Sequence, residues 1–216
     1  MRFRLAFSII ELSTVIVVIG ILASLSIPRI QRDIRQEAID SIIANIRLTQ
    51  RMALSDHQHR DGNIWQKSYW KWLYVNCKKG NIYYVVTSNR DYDRSFDRKE
   101  SAIDPYNQKY LYGSTIGYCG YGKINTKDSS RVLLSEKFGI SSIHSYGGCS
   151  GNKHIAFDEL GRPHSGIDSY KSPNYNFLMK ENCSLTFNFK ENTIVSNIKP
   201  FTLIVEAISG RVYLKK

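Results

Sequence analysis

Residues 6–28 read Ala6-Phe7-Ser8-Ile9-Ile10-Glu11-Leu12-Ser13-Thr14-Val15-Ile16-Val17-Val18-Ile19-Gly20-Ile21-Leu22-Ala23-Ser24-Leu25-Ser26-Ile27-Pro28, and Glu11 is the only charge among them. Positions 12–27 are sixteen uncharged residues, and adding 7–11 makes 21. At a helical rise of ~1.5 Å such a stretch covers roughly the ~30 Å hydrocarbon layer, so its length predicts a membrane-spanning helix. Arg2 and Arg4 precede it and Arg29, Arg32 and Arg35 follow closely, so charge bias alone does not fix an orientation. Glu11 separates the readings. An acid in the outer third of an apolar span costs ~2.5–3.5 kcal/mol on insertion scales. Neither an export peptide cut near Ser24 or Ser26 nor a plain anchor has a use for it.

The run Ala6-Phe7-Ser8-Ile9-Ile10-Glu11-Leu12, behind a six-residue basic leader, resembles the class III signal of type IV pilins and pseudopilins. The resemblance implies cleavage by prepilin peptidase between Ala6 and Phe7, with methylation of the new Phe7 amine. Ala6 stands where the family usually has Gly. Pro28 falls where many pilins carry a proline that kinks or loosens the first helix. Glu11 lies one helical turn from the new ammonium, so Glu11 of one subunit can neutralise Phe7 of a neighbour inside an apolar bundle. A buried carboxylate gains most from such a partner and costs most without one, which makes Glu11 an assembly register rather than a catalyst. The partners implied are other pilin subunits, prepilin peptidase, an inner-membrane assembly platform and membrane lipid. The implied location is the bacterial inner membrane, single-pass, with the C-terminal part in the periplasm and later in a filament.

Beyond Pro28, apolar positions continue at Ile30, Ile34, Ala38, Ile42, Ile46, Thr49 and Ala53, three or four apart, with Arg29, Arg32, Asp33, Arg35, Gln36 and Asp40 on the other face. The spacing predicts one helix from residue 7 to about 54, interrupted or bent near Pro28. Its stripe is expected to dock on a sheet. The chain thus divides into a leader (1–6), a spanning and filament-core segment (7–28), an amphipathic continuation (29–56) and a β-rich globular part (57–216). His57, Asp61, Gly62 and Asn63 form the breaker cluster between the last two. Strand signals follow at 69–77, 81–87, 131–135, 140–144, 154–157, 184–189, 201–207 and 211–214. Lys78-Lys79-Gly80-Asn81 and Ser209-Gly210 read as hairpin turns. The fold class expected is α+β, a long N-terminal helix with a membrane-spanning first half packed on a β-rich, pilin-like domain. Ile155-Ala156-Phe157-Asp158-Glu159-Leu160-Gly161-Arg162-Pro163 and Ile208-Ser209-Gly210-Arg211-Val212 are similar to runs in H-type minor pseudopilins and related minor pilins.

The 216 residues are 42% apolar, 23% charged and 12% aromatic, which suits one compact domain and excludes a disordered or collagen-like chain. Cys77, Cys119, Cys149 and Cys183 are an even set without zinc spacing, and an exported location favours disulfides. Three pairings are possible; the expected one joins Cys77 to Cys119 and Cys149 to Cys183. Asp91, Asp93, Ser95, Asp97 and Glu100 resemble a calcium loop, but Phe96 and Ala102 stand where that loop needs Gly and Glu, so the run is read as a solvated charged loop with calcium as a weak cofactor candidate. His144, His154 and His164 are scattered among polar turns, as surface or capping residues. No catalytic trio or phosphate loop is visible, so no enzyme activity is expected.

Only Arg2, Arg4 and Glu11 lie before Arg29, which leaves 28 basic and 18 acidic residues, or +10, on the rest of the chain. Lys199, Arg211, Tyr213, Lys215 and Lys216 gather basic and aromatic character at the terminal hairpin, a composition that suits a phosphate backbone with a ring to stack on a base. DNA-uptake minor pilins carry a C-terminal Gly-Arg-x-Arg tail, of which Gly210-Arg211-Val212-Tyr213 keeps the first arginine. The sequence therefore predicts a structural minor pilin or pseudopilin of a pilus, secretion or DNA-uptake filament. The alternatives are a filament-tip DNA receptor or a secreted hydrolase with an ordinary signal peptide.

Overall fold

Ala38, Ile42, Ile46, Thr49 and Ala53 are all buried, and together they form the inner face of α1 (Ile9–Ser55). The computed structural model describes residues 9–56, 64–93, 95–169, 171, 175–191 and 198–216, over 25–33 by the backbone alone. The leader, the Ala6/Phe7 cut, His57, His59, Asp61, Gly62, Asn63 and the side chains of Ile27, Pro28 and Ile30 lie outside the described residues. Asp40 and Gln36 face solvent, joined by a 3.0 Å hydrogen bond. The stripe docks on a sheet as its spacing predicts.

Two expectations about this helix are corrected. No described helix is long and apolar enough to cross a membrane. The membrane-spanning first half of the fold class, and the single-pass inner-membrane location built on it, therefore fail. Of the interruption or bend expected at Pro28, the interruption is absent, since α1 runs through it as one element. A single proline deletes one backbone hydrogen bond and leaves the path on either side helical.

The strands form two antiparallel four-stranded sheets. In the first, β1 (Trp70–Asn76), β2 (Ile82–Thr87), β4 (His154–Phe157) and β5 (Pro163–His164) stand in the order β2-β1-β4-β5. In the second, β3 (Ile140–Gly147), β6 (Cys183–Phe189), β7 (Phe201–Val205) and β8 (Val212–Leu214) stand in chain order. The alternation of β1 explains its place. Trp72 lies flat against Tyr84 of β2 in the core, at 5.9 Å between ring centres, while Lys71 and Leu73 project to the other face. Helix α1 packs on β1, β2 and β4 and also on β8, so it touches both sheets.

One expected strand is a helix. Residues 131–135 form the end of a 3-10 turn (Ser130–Val132) and the start of α2 (Leu134–Phe138). Val132, Leu133 and Leu134 are buried on successive positions, so this short apolar run carries no period that tells strand from helix. Gly139, at φ +71°, closes α2 with its N–H on the carbonyls of Leu134 and Ser135, and Ser135 Oγ accepts the Ile82 N–H at 2.8 Å. Both disulfides are present with the expected pairing, Cys77–Cys119 and Cys149–Cys183.

The β4–β5 turn and the β7–β8 turn meet at one helix residue. Gln50 Nε2 donates to the carbonyls of Gly161, at 2.8 Å, and Ser209, at 2.9 Å, so one amide holds the β4–β5 turn and the β7–β8 turn to α1. Gly210 is essential to this junction. It adopts φ +67°, and a Cβ there would lie 2.6 Å from Gln50 Nε2, 2.6 Å from the Gly161 carbonyl and 2.9 Å from the Phe157 ring. Gly210→Ala is expected to lower the unfolding free energy by ~2–3 kcal/mol, through left-handed strain plus overpacking. An unchanged urea midpoint would contradict this.

Candidate functional site

The described start of α1 is unlike the rest of the chain. Ile9, Leu12, Val15, Ile16, Val17, Val18, Ile19 and Ile21 are all exposed, Ile9 at 86% and Val15, the least, at 50%. Isolated exposed apolar side chains are ordinary, but a contiguous apolar surface marks an interaction site. Its hydroxyls are satisfied within the helix. Ser13, Thr14 and Ser24 donate their hydroxyls to the carbonyls three residues back, of Ile10, Glu11 and Ile21, at 2.8–2.9 Å. A helix that satisfies its own hydroxyls presents an apolar cylinder to whatever surrounds it. Glu11 interrupts it as the acid of the first turn, and its side chain is exposed.

The terminal hairpin gathers some of the expected basic residues. Arg211 reaches Glu206 with Nη2 3.0 Å from Oε1 and lies over the Tyr213 ring at 5.2 Å. Hydrogen bonds from Ser209 and Arg211 hold the Glu206 carboxyl below its ordinary range. Arg211 is therefore matched by an acid of its own loop. Lys215 and Lys216 are exposed and, with Tyr213, edge a cleft of about 490 Å³ that continues to Asn182 and Ile204. Lys199 is exposed just before β7, where its carbonyl accepts from Arg35 Nε at 3.0 Å; this is the strand end that Lys215 reaches, with its N–H on the Thr202 carbonyl at 2.8 Å, whereas Arg211 stands at the opposite end of the hairpin. The turn itself is longer than Ser209-Gly210 implies, because Val205 pairs with Val212 and the loop runs from 206 to 211.

The histidine reading needs correction. His144 is exposed, but His154 and His164 are enclosed on the neighbouring strands β4 and β5. His164 is fully buried, with Nε2 3.2 Å from Asp158 Oδ2. Burial would raise the Asp158 carboxyl, but the hydrogen bonds from His164 and Arg162 outweigh it and hold it low. His154 Nε2 accepts the N–H groups of Gly166, at 3.0 Å, and Ile167, at 3.3 Å. Burial pushes its imidazole down to about 4 against the pull of Asp168. The signal was adjacency to the apolar run Ile155-Ala156-Phe157, which places its flanking residues in the same strand layer.

In the acidic run, Glu100 Oε1 accepts the N–H of Arg90 and of Asp91, and Asp93 Oδ1 accepts the Ser95 N–H at 2.6 Å. These carboxylates serve the local backbone. Among the described residues no group of three or more His, Cys, Asp or Glu is placed to hold a metal ion. No family model, no curated protein and no solved structure matches this chain.

Proposed function

We propose that this chain is a pilin-like minor subunit of a filament of the pilus, secretion or DNA-uptake kind, assembled through residues 9–24 of α1 against the same segment of neighbouring subunits. One observation carries the reading. Over 38–53 the helix buries its stripe in its own domain, whereas over 9–24 every large apolar side chain is exposed on a helix whose hydroxyls are self-satisfied. Such a surface is stable only when covered, and parallel copies of the same rod cover it and bring Glu11 beside the amine of an adjacent chain. The proposal includes processing at Ala6/Phe7 by prepilin peptidase, delivery to an assembly platform, and a structural rather than enzymatic role.

Mass spectrometry of the mature protein tests the reading. An N-terminal N-methyl-phenylalanine at Phe7 is the expected result, and a chain beginning near Ile27, as a secreted hydrolase with an ordinary export peptide would, overturns it. DNA contact through the hairpin is the weaker reading, because the arginine that the DNA-uptake tail resemblance singles out, Arg211, is held by Glu206.

A further inference from the structure

Ile208 stands at the tip of the turn between β7 and β8. It adopts φ +67°, and across it the Ser209 N–H donates to the Ala207 carbonyl at 2.7 Å. A three-residue turn centred on positive φ is rare and strained, and a β-branched residue at its centre is a genuine outlier. The loop holds it there from several sides. The Ala207 N–H donates to Asn182 Oδ1 at 2.9 Å, the Gly210 N–H to the Glu206 carbonyl at 3.0 Å, and Ser209 Oγ to Glu206 Oε2 at 2.7 Å, while Gln50 grips the Ser209 carbonyl. Strain persists only where its surroundings over-determine it, and it points to a use. Here the result is display. Ile208 is 67% exposed, and Leu160, on the other turn that Gln50 holds, is 65% exposed.

The opposite end of β7 carries a cleft. Ile34 of α1, Phe189 at the end of β6 and Ile198 before β7 are half-buried around a space of about 490 Å³, with Phe138 of α2 behind them. Lys137 and Lys190 on its rim are balanced by Glu136 and Glu191, so it offers an ion no net charge and a branched apolar side chain a lined seat. Beside Ile208, Arg211 is likewise matched by Glu206, so the two surfaces do not repel. The larger cleft, edged by Asn89, Tyr92, Lys153 and Asp168, runs along the flank of β1 instead. Arg35, next to Ile34, is tied to the Lys199 carbonyl before β7, and Gln50 is tied to the turn after it. Cleft and projection thus both sit beside α1, and the fifteen-residue step from 35 to 50 separates them by ~22 Å at ~1.5 Å per residue.

We infer that Ile208, with Leu160, plugs the cleft between Ile34, Phe189 and Ile198 of a second copy of this chain. The two surfaces occupy opposite ends of one domain, so the contact is head to tail, is satisfied by a shift along α1, and repeats without closing. Every copy then points the same way, as parallel rods 9–24 require. The inference rests on the filament reading and adds to it a contact between domains.

Bismaleimide crosslinking of the full chain in producing cells tests the contact, because all four native cysteines are in disulfides and only introduced thiols react. Ile34→Cys combined with Ile208→Cys is expected to give a covalent ladder of trimers and longer species, and Ile208→Cys alone to give none. Products that stop at dimers, dimers from Ile208→Cys alone, or no crosslinking each overturn the proposal. Ile208→Gly removes the projection and relieves the left-handed strain. It is expected to keep or raise the urea midpoint while lowering incorporation into filaments at least about tenfold. Parental incorporation, or a loss accompanied by a lowered midpoint, also overturns the proposal. The mature N-terminus reads the filament separately: N-methyl-phenylalanine at Phe7 without the ladder rejects this contact alone, and a chain beginning near Ile27 rejects the filament whatever the ladder shows.

Discussion

Replacing Cys149 and Cys183 together by alanine is expected to lower the unfolding free energy by about 4 kcal/mol. The bridge closes a loop of sequence separation 34, and restricting an unfolded chain to such a loop removes roughly that much chain entropy. Its position strengthens the case. Cys183 begins β6 opposite Gly147, the last residue of β3, and Cys149 sits in the turn that follows. Gly147 and Gly148 leave no room for side chains, because the carbonyls of Asn182 and Glu181 occupy the space where a Cβ would stand. The bridge thus clamps a close backbone crossing that contributes little side-chain packing of its own. Urea unfolding of the Cys149→Ala/Cys183→Ala protein measures the loss, and a midpoint equal to that of the parent would refute it. The Cys77–Cys119 bridge, at separation 42, is expected to contribute a similar amount.

Glu11→Val is expected to reduce incorporation into filaments at least about a hundredfold without changing the unfolding of the globular part. Removing one member of a buried ion pair costs ~3–5 kcal/mol, because the other charge is left uncompensated among apolar side chains. A hundredfold corresponds to about 2.8 kcal/mol, so the lower end of that range suffices. Glu11 lies far along the helix from the buried stripe 38–53, which is why the domain should not register its loss. Quantitative immunoblotting of sheared filaments, against total subunit, reads the effect. Wild-type incorporation of the variant would remove Glu11 from its assembly role.

Much of the domain was legible because its signals are periodic. The stripe Ala38, Ile42, Ile46, Thr49 and Ala53 repeats with the helical turn, and burial follows it residue by residue. Strands β1 and β2 were visible as apolar runs either side of Lys78-Lys79-Gly80-Asn81, and Gly80 does sit at φ +80° in that turn. The misreadings have physical causes. Residues 132–135 are buried at every position, so their apolar run has no face and no period. Strand β5 is two residues long, below the length at which alternation exists. The spanning segment rests on the length of an uncharged run, whereas no described helix is both long and apolar enough to cross a membrane. The cleft beside β1 was invisible because Asn89 and Tyr92 come from one loop and Lys153 and Asp168 from two other segments, and only the sheet brings them together. Gln50 likewise reads in sequence as one more polar helix residue, yet it is the point on which two distant turns converge.

That convergence has a mechanical side. Gln50 grips two turns, Arg47 Nη2 donates to the Val212 carbonyl at 3.0 Å, and Arg35 Nε donates to the Lys199 carbonyl at 3.0 Å. A tensile load applied along the rod reaches the body through ties spread over four helical turns and more, sharing strain between both sheets. Several such ties loaded side by side yield together rather than one after another, so the domain resists traction as a riveted joint does.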